Sequence, residues 1–177
     1  MGEAAVKGVI DCAAYRGGIR QATLGIEEIP AALADPELFV WLGLFEPSES
    51  LLEEVQAAFR LHDLAVEDAH RAHQRPKLDR YGESLFVVLR TARFAGPAED
   101  LELGETHLFV GPRYVVTVRH GSLQSHVGLR GRCEAEGELL ARGRPGDVER
   151  RMQRDLLEAG RLAVEHARRR ARDNDCG

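Results

Sequence analysis

Between Asp63 and Gly82 the chain reads D-L-A-V-E-D-A-H-R-A-H-Q-R-P-K-L-D-R-Y-G. Two adjacent carboxylates, Glu67 and Asp68, precede His70 and His73, and Gln74-Arg75-Pro76-Lys77 follows. On a helix, residues three apart are neighbours, so Glu67, His70 and His73 would share one edge while Asp68 points about 100° from Glu67. One carboxylate and two imidazoles are donors that zinc accepts. The acid pair alone suits a harder cation such as Mg2+, which keeps several waters and touches one or two protein carboxylates. The spacing is not His-Glu-x-x-His, so it gives a metalloprotease no support. The plainer alternative is a solvated helix face, where Glu and His usually lie.

Other chemistry is thinner. Ser48, Ser50, Ser84, Ser122 and Ser125 lack a Gly-x-Ser-x-Gly setting, and no glycine pattern resembles a phosphate loop or a dinucleotide fingerprint. Arg75 and Lys77 read as cations that stabilise the carbonyls of a helix end rather than as phosphate contacts. Trp41 lies in an apolar run and reads as core. His120 and His126 read as solvent-facing or hydrogen-bonding residues.

The elements that would position these groups follow from periodicity. Val6 to Tyr15 is a plausible strand ended by Gly17-Gly18, and Leu24 to Ala34 a second strand or short helix broken by Pro30. Leu38 to Phe45 (L-F-V-W-L-G-L-F) is short, apolar and bounded by turn residues, as a buried strand is. Leu51, Leu52, Val55, Ala58 and Phe59 then recur at helical spacing, with Ser48 or Ser50 as the cap. The acid-bearing helix follows, with Asp63 as its expected N-cap and a break before Pro76. Ser84 to Phe94, Glu105 to Val110 and Tyr114 to Arg119 read as strands, the last two joined through Gly111-Pro112-Arg113. Strands, two helices, a strand and a hairpin predict an α/β fold, a mixed β-sheet covered by helices. Arg130 to Pro145 reads as loop or weak helix, and from Asp147 an alanine-dominated helical stripe begins.

Composition bounds the function. The 177 residues carry 30% charged and 44% hydrophobic residues, the balance of a soluble globular chain. Residues 1–129 hold 12 Lys and Arg against 19 Asp and Glu, whereas 130–177 hold 12 Arg against 10 acids. An acidic body argues against nucleic acid as partner and is compatible with cations. Acids interleave the arginines of the tail, so a solvated helix is expected there rather than an RNA or membrane contact. Cys12, Cys133 and Cys176 show no Cys-x-x-Cys spacing, which fits a reducing cytoplasm. The longest apolar run, Leu38 to Phe45, is far short of the roughly 20 residues that span a bilayer.

Phe39 to Phe94 closely resembles the cytoplasmic domain of CorA-type magnesium and cobalt transporters. The resemblance is carried by W-L-G-L-x-E-P-S (Trp41 to Ser48), V-E-D-A (Val66 to Ala69) and H-Q-R-P-K (His73 to Lys77). It continues through the hairpin Gly104 to Gly121 and covers about the first two-thirds of the chain. The resemblance implies an α/β/α soluble domain, assembled as a homopentamer on the cytoplasmic side of the inner or plasma membrane, that senses the conducted ion. In that family the acidic pair lies at the contact between protomers, where a hydrated Mg2+ bridges it to a neighbour's carboxylate. By position Asp68, and less strongly Glu67, inherit that role; His70 and His73 are weaker candidates. The implied ion is Mg2+, with Co2+ or Zn2+ as alternatives, and no enzymatic activity is implied. Asp63 stands where many relatives have proline, and His70 where an apolar residue is common.

The expected division is a CorA-like α/β domain, 1–129, and an Arg-rich extension, 130–177, that diverges from the family. Competing readings are a free-standing soluble module of the same fold that binds a protein partner, the cytoplasmic domain of a related zinc transporter, and a hydrolase built on Glu67, His70 and His73. Family members continue into long helices, a Gly-Met-Asn motif and two membrane spans that this chain lacks, so the chain is not expected to form a pore and is expected to be soluble and cytoplasmic by itself. Of the 48 residues from Arg130, 12 are Arg, 6 Ala and 6 Gly, the kind of composition that GC-rich DNA gives out of frame. A truncated or frame-shifted transporter gene is therefore expected. Reading the downstream DNA should reveal Gly-Met-Asn and apolar spans in another frame, and their absence from every frame would overturn that origin.

Overall fold

The computed structural model describes residues 7–71, 74–94, 101–121 and 127–135. Seven strands form one sheet in the order β2 (Ile19–Thr23), β1 (Val9–Arg16), β3 (Leu38–Phe45), β7 (Tyr114–His120), β6 (Leu101–Gly111), β5 (Ser84–Phe94) and β4 (Lys77–Tyr81). In its interior, β3 is antiparallel to β1 on one side and parallel to β7 on the other. β3 is a continuous apolar run because both its faces are covered, as is usual for strands in parallel pairings. Val40, Leu42 and Leu44 face one layer of helices; Phe39 and Trp41 face the other side.

A parallel neighbour requires a long crossover. Here the chain leaves β3, forms α2 (Glu49–Phe59) and α3 (Asp63–Arg71), then runs through β4 (Lys77–Tyr81), β5 (Ser84–Phe94) and β6 (Leu101–Gly111) before reaching β7. The Ser48 hydroxyl accepts the Leu51 amide at 3.2 Å and caps α2. Leu51, Leu52, Val55 and Phe59 form the buried stripe of α2, and Ala65, Val66 and Ala69 that of α3. Together with Ile29 and Ala32 of α1 (Ile29–Ala34) they cover the β3 face bearing Val40, Leu42 and Leu44. On the opposite face, Cys133 of α4 (Val127–Ala135) joins a cluster with Ala13, Tyr15, Trp41, Leu108 and Val115. The layers are thus helix, mixed sheet, helix.

Several expectations need correction. Of the two readings of Leu24 to Ala34 the short helix holds and the strand does not: a 3-10 turn (Ile26–Glu28) leads into α1, and Pro30 does not break it but lies in its first turn, where its missing amide costs nothing. The edge strands β2 (Ile19–Thr23) and β4 escaped the sequence reading. Every residue of β2 is exposed, and three of the five residues of β4, Lys77, Asp79 and Arg80, are charged, because sheet edges are kept polar against unwanted pairing. Gly17 and Gly18, at φ +55° and +83°, form the tight turn between β1 and β2. Asp63 is the first residue of α3 rather than its cap; the His62 carbonyl accepts the Ala65 and Val66 amides and its ring nitrogen accepts that of Leu64. α3 ends at Arg71, and the stripe expected from Asp147 lies outside the described residues.

Leu42 has no exposed surface, so Leu42→Ala is expected to cost about 2–5 kcal/mol. Ser48→Ala, which removes only the cap, is expected to cost about 1 kcal/mol. Urea unfolding should show both as lower midpoints at unchanged slope.

Candidate functional site

α3 uses Ala65, Val66 and Ala69 to grip the sheet, which turns Leu64, Glu67 and Arg71 outward. Glu67 is half exposed and its carboxylate meets the Arg71 guanidinium one turn later at 2.6 Å. Such a helical pair contributes a few tenths of a kcal/mol. Asp68 sits deeper, with 24% of its side chain exposed, and its Oδ2 accepts from Lys77 Nζ at 2.7 Å. The same ammonium lies 2.7 Å from Asp79 Oδ2 and 5.6 Å from the centre of the Phe86 ring. The hydrogen bonds to Asp68 and then Asp79 hold the Lys77 ammonium well above its usual lysine range. Lys77 thus clamps α3 to β4 instead of serving the end of α3, as its sequence position had suggested.

His70 lies on α3, partly exposed, whereas His73 lies outside the described residues. Among the described residues, no three His, Cys, Asp or Glu side chains converge to hold a metal ion. What the arrangement offers a cation is two carboxylates, Asp68 and Asp79, aimed at one point, and Glu67 beside them on the outer face.

A buried polar cluster beneath α3 went unnoticed in the sequence. His107 is fully buried on β6, with its Nε2 against the Glu105 carboxylate and its ring edge on Phe86. Glu105 also accepts the Gln74 amide at 3.2 Å, and Arg90 donates to the Gln74 carbonyl at 3.0 Å. His120 on β7 donates from Nε2 to the Ala69 carbonyl at 3.0 Å and from Nδ1 to Glu46 at 3.2 Å. His120 is thus a hydrogen-bonding residue that ties the last turn of the acid-bearing helix to the end of β3. The signal was the placement of Glu105 and His107 two apart in a strand, which puts both on one face.

Burial pushes the His107 imidazole below its ordinary value, against the opposing pull of Glu105. Partial burial raises the Glu46 carboxyl, but the Gly121 amide and the His120 ring outweigh it and leave the group below its usual range.

On the opposite face, α4 and the sheet flank an open cleft of about 480 Å3. Two of its guanidiniums, those of Arg20 and Arg130, meet at Asp11. Arg20 forks onto Asp11 at 2.8 and 2.9 Å, and Arg130 reaches Asp11 and the Trp41 carbonyl while its guanidinium lies 4.7 Å over the Trp41 ring. Trp41 is core, as its sequence setting suggested.

Residues 36–172 match the sequence model of a family described as CorA-like Mg2+ transporter protein. The chain belongs to that family. The match extends beyond Gly121 and includes most of the Arg-rich segment. YfjQ of Bacillus subtilis (strain 168), described as a candidate metal ion transporter, is 29% identical over 118 residues, covering 67% of this chain and 35% of its own length. The full-length CmaX protein is similar in structure, with a TM-score of 0.69 and 21% identity, over 93% of this chain and 50% of that one. The ZntB cytoplasmic domain from Vibrio parahaemolyticus RIMD 2210633 has a TM-score of 0.62 and 9% identity, over 95% of this chain and 64% of that one. At these identities the two structural likenesses speak for the fold, and that fold is the helix-covered mixed sheet expected of a CorA soluble domain. The chain spans about a third to just under two-thirds of the length of these proteins. Among the described residues no helix is long and apolar enough to cross a membrane.

The cluster makes stability depend on pH. For His107 the unfolded chain takes up a proton near the ordinary value of 6.5, which the folded ring resists, so stability falls as pH drops below that value. For Glu46 the folded value is depressed, so its contribution is present above about 4.5 and is lost as pH falls through the folded value; its half-exposed side chain makes this part small. His107→Gln is expected to flatten the melting temperature between about pH 6.5 and 5. Melts across that range check it.

Proposed function

We propose that this chain is the metal-sensing part of a CorA-like divalent cation transporter, acting on the cytoplasmic side of the membrane as a homo-oligomer. Asp68, aided by Glu67, shares a hydrated Mg2+, or Co2+, with a carboxylate of a neighbouring copy. The observation that supports this reading most is the division of labour on α3: its alanines and valine hold the sheet, while Glu67 and Leu64 are left to the outer side and Asp68 lies part-exposed at the helix edge. Family membership supplies the ion class.

The physical consequence is a switch set by ion concentration. Two acidic surfaces brought together repel, by about 1 kcal/mol per pair of unit charges 4 Å apart in water and more where solvent is excluded. A shared dication removes the repulsion and favours the assembled state, whereas its loss lets the copies separate. Mg2+ suits the task because it needs only one or two protein carboxylates and keeps its other ligands as water. The carboxylates act as a sensor and take part in no covalent chemistry.

Millimolar Mg2+ is expected to raise the melting temperature and the sedimentation coefficient of the chain relative to NaCl of equal ionic strength, since preferential binding to the folded or assembled form must stabilise it. Asp68→Asn should remove most of both responses. An unchanged response in that variant would refute the assignment of Asp68, and a monomer indifferent to Mg2+ would favour a protein-interaction module.

A further inference from the structure

We infer that Lys77 is a built-in competitor for the cation site: its ammonium occupies the point where the Asp68 and Asp79 carboxylates converge, and a divalent ion must displace it to bind. The inference rests on the reading of Asp68 as an ion-sensing residue and assigns the regulation of that site to Lys77.

The geometry is specific. Lys77 and Asp79 lie two apart on β4, so both side chains rise from the same face of the sheet, toward α3. Asp68 comes down from α3 to meet them. Nζ sits 2.7 Å from an oxygen of each carboxylate, so two of its three donors are spent on the acids. The residue between them, Leu78, turns away and is half exposed. The Phe86 ring backs the ammonium without offering it another oxygen.

The charges decide what a divalent ion gains. One ammonium between two carboxylates leaves a net charge of −1, whereas a dication in its place leaves none. The attraction of each carboxylate for a dication is about twice that for a monovalent cation at equal distance. Two effects oppose exchange. Mg2+ gives up its water reluctantly, and a tethered ammonium competes at an effective concentration that is roughly millimolar or higher for a short flexible tether. Lys77 therefore sets the threshold: trace divalent ion leaves Asp68 paired with its own chain, and ion at about millimolar concentration releases it. Displacing the ammonium also frees the clamp between α3 and β4, so binding is felt in the position of α3.

Calorimetric titration of the chain with MgCl2 at constant ionic strength tests this in four proteins: the unaltered chain, Lys77→Gln, Lys77→Arg and Asp68→Asn, each first checked for a cooperative melt. The expected result is binding tightened tenfold or more in Lys77→Gln, unchanged within about twofold in Lys77→Arg, and lost in Asp68→Asn. If Asp68→Asn loses binding but Lys77→Gln matches or falls below the unaltered chain, Lys77 is no competitor and the inference falls while the sensing role of Asp68 stands. If Asp68→Asn binds like the unaltered chain, the sensing role itself fails. If no variant binds Mg2+, both fall.

Discussion

Parallel pairing of β3 with β7 is the constraint from which the rest of the molecule follows. Two parallel strands cannot be joined by a tight turn, so the chain must leave the sheet, cross its face and return. The crossing takes the form of α2 and α3, and the return builds the antiparallel half of the sheet from β4 to β7. This route sets the acid-bearing helix over the sheet and brings β4, with Lys77 and Asp79, beneath it. Because both faces of β3 are then covered, its residues must be apolar in both directions, and Leu38–Phe45 has no charged side chain.

The helix that results is held by two kinds of force. Ala65, Val66 and Ala69 bury modest apolar area, since two of the three are alanines. Directional contacts supplement it at the end of the helix nearest the acids: the His120 ring on the Ala69 carbonyl and the Lys77 ammonium on Asp68. A helix attached mainly by small residues and polar clamps responds more readily to charge than one anchored by large aliphatic side chains.

α4 is attached to the other face on a different principle. Tyr15 donates to Glu134 at 2.7 Å, Arg130 stacks on Trp41, and Asp11 links Arg20 and Arg130. Ion pairs and a cation over an indole act there beside the apolar contact of Cys133, which among the described residues is the α4 member of the apolar cluster. On the other face, in the core beneath α1 to α3, burial pushes the Cys12 thiol up to about 12, so it is inert filling there rather than a reactive group.

The sequence alone determined the elements whose pattern reports their own environment. The apolar run Leu38–Phe45, the stripe of α2 and the aromatic and β-branched strands β5 to β7 were legible because burial on one or two faces demands one hydrophobic period and forbids others. The acid pair, its neighbouring histidines and the family's motifs were equally visible, being local in the chain. Edge strands β2 and β4 were hidden, because a strand with one partner and an open side needs no apolar alternation. Tertiary structure alone decided which charges meet. Asp68 and Lys77 are nine residues apart, Glu105 and Gln74 thirty-one, and His120 and Glu46 seventy-four. Side-chain charge acts over a few ångströms of space and carries no record of separation along the chain, so such partners exist only once the crossover has been folded into place.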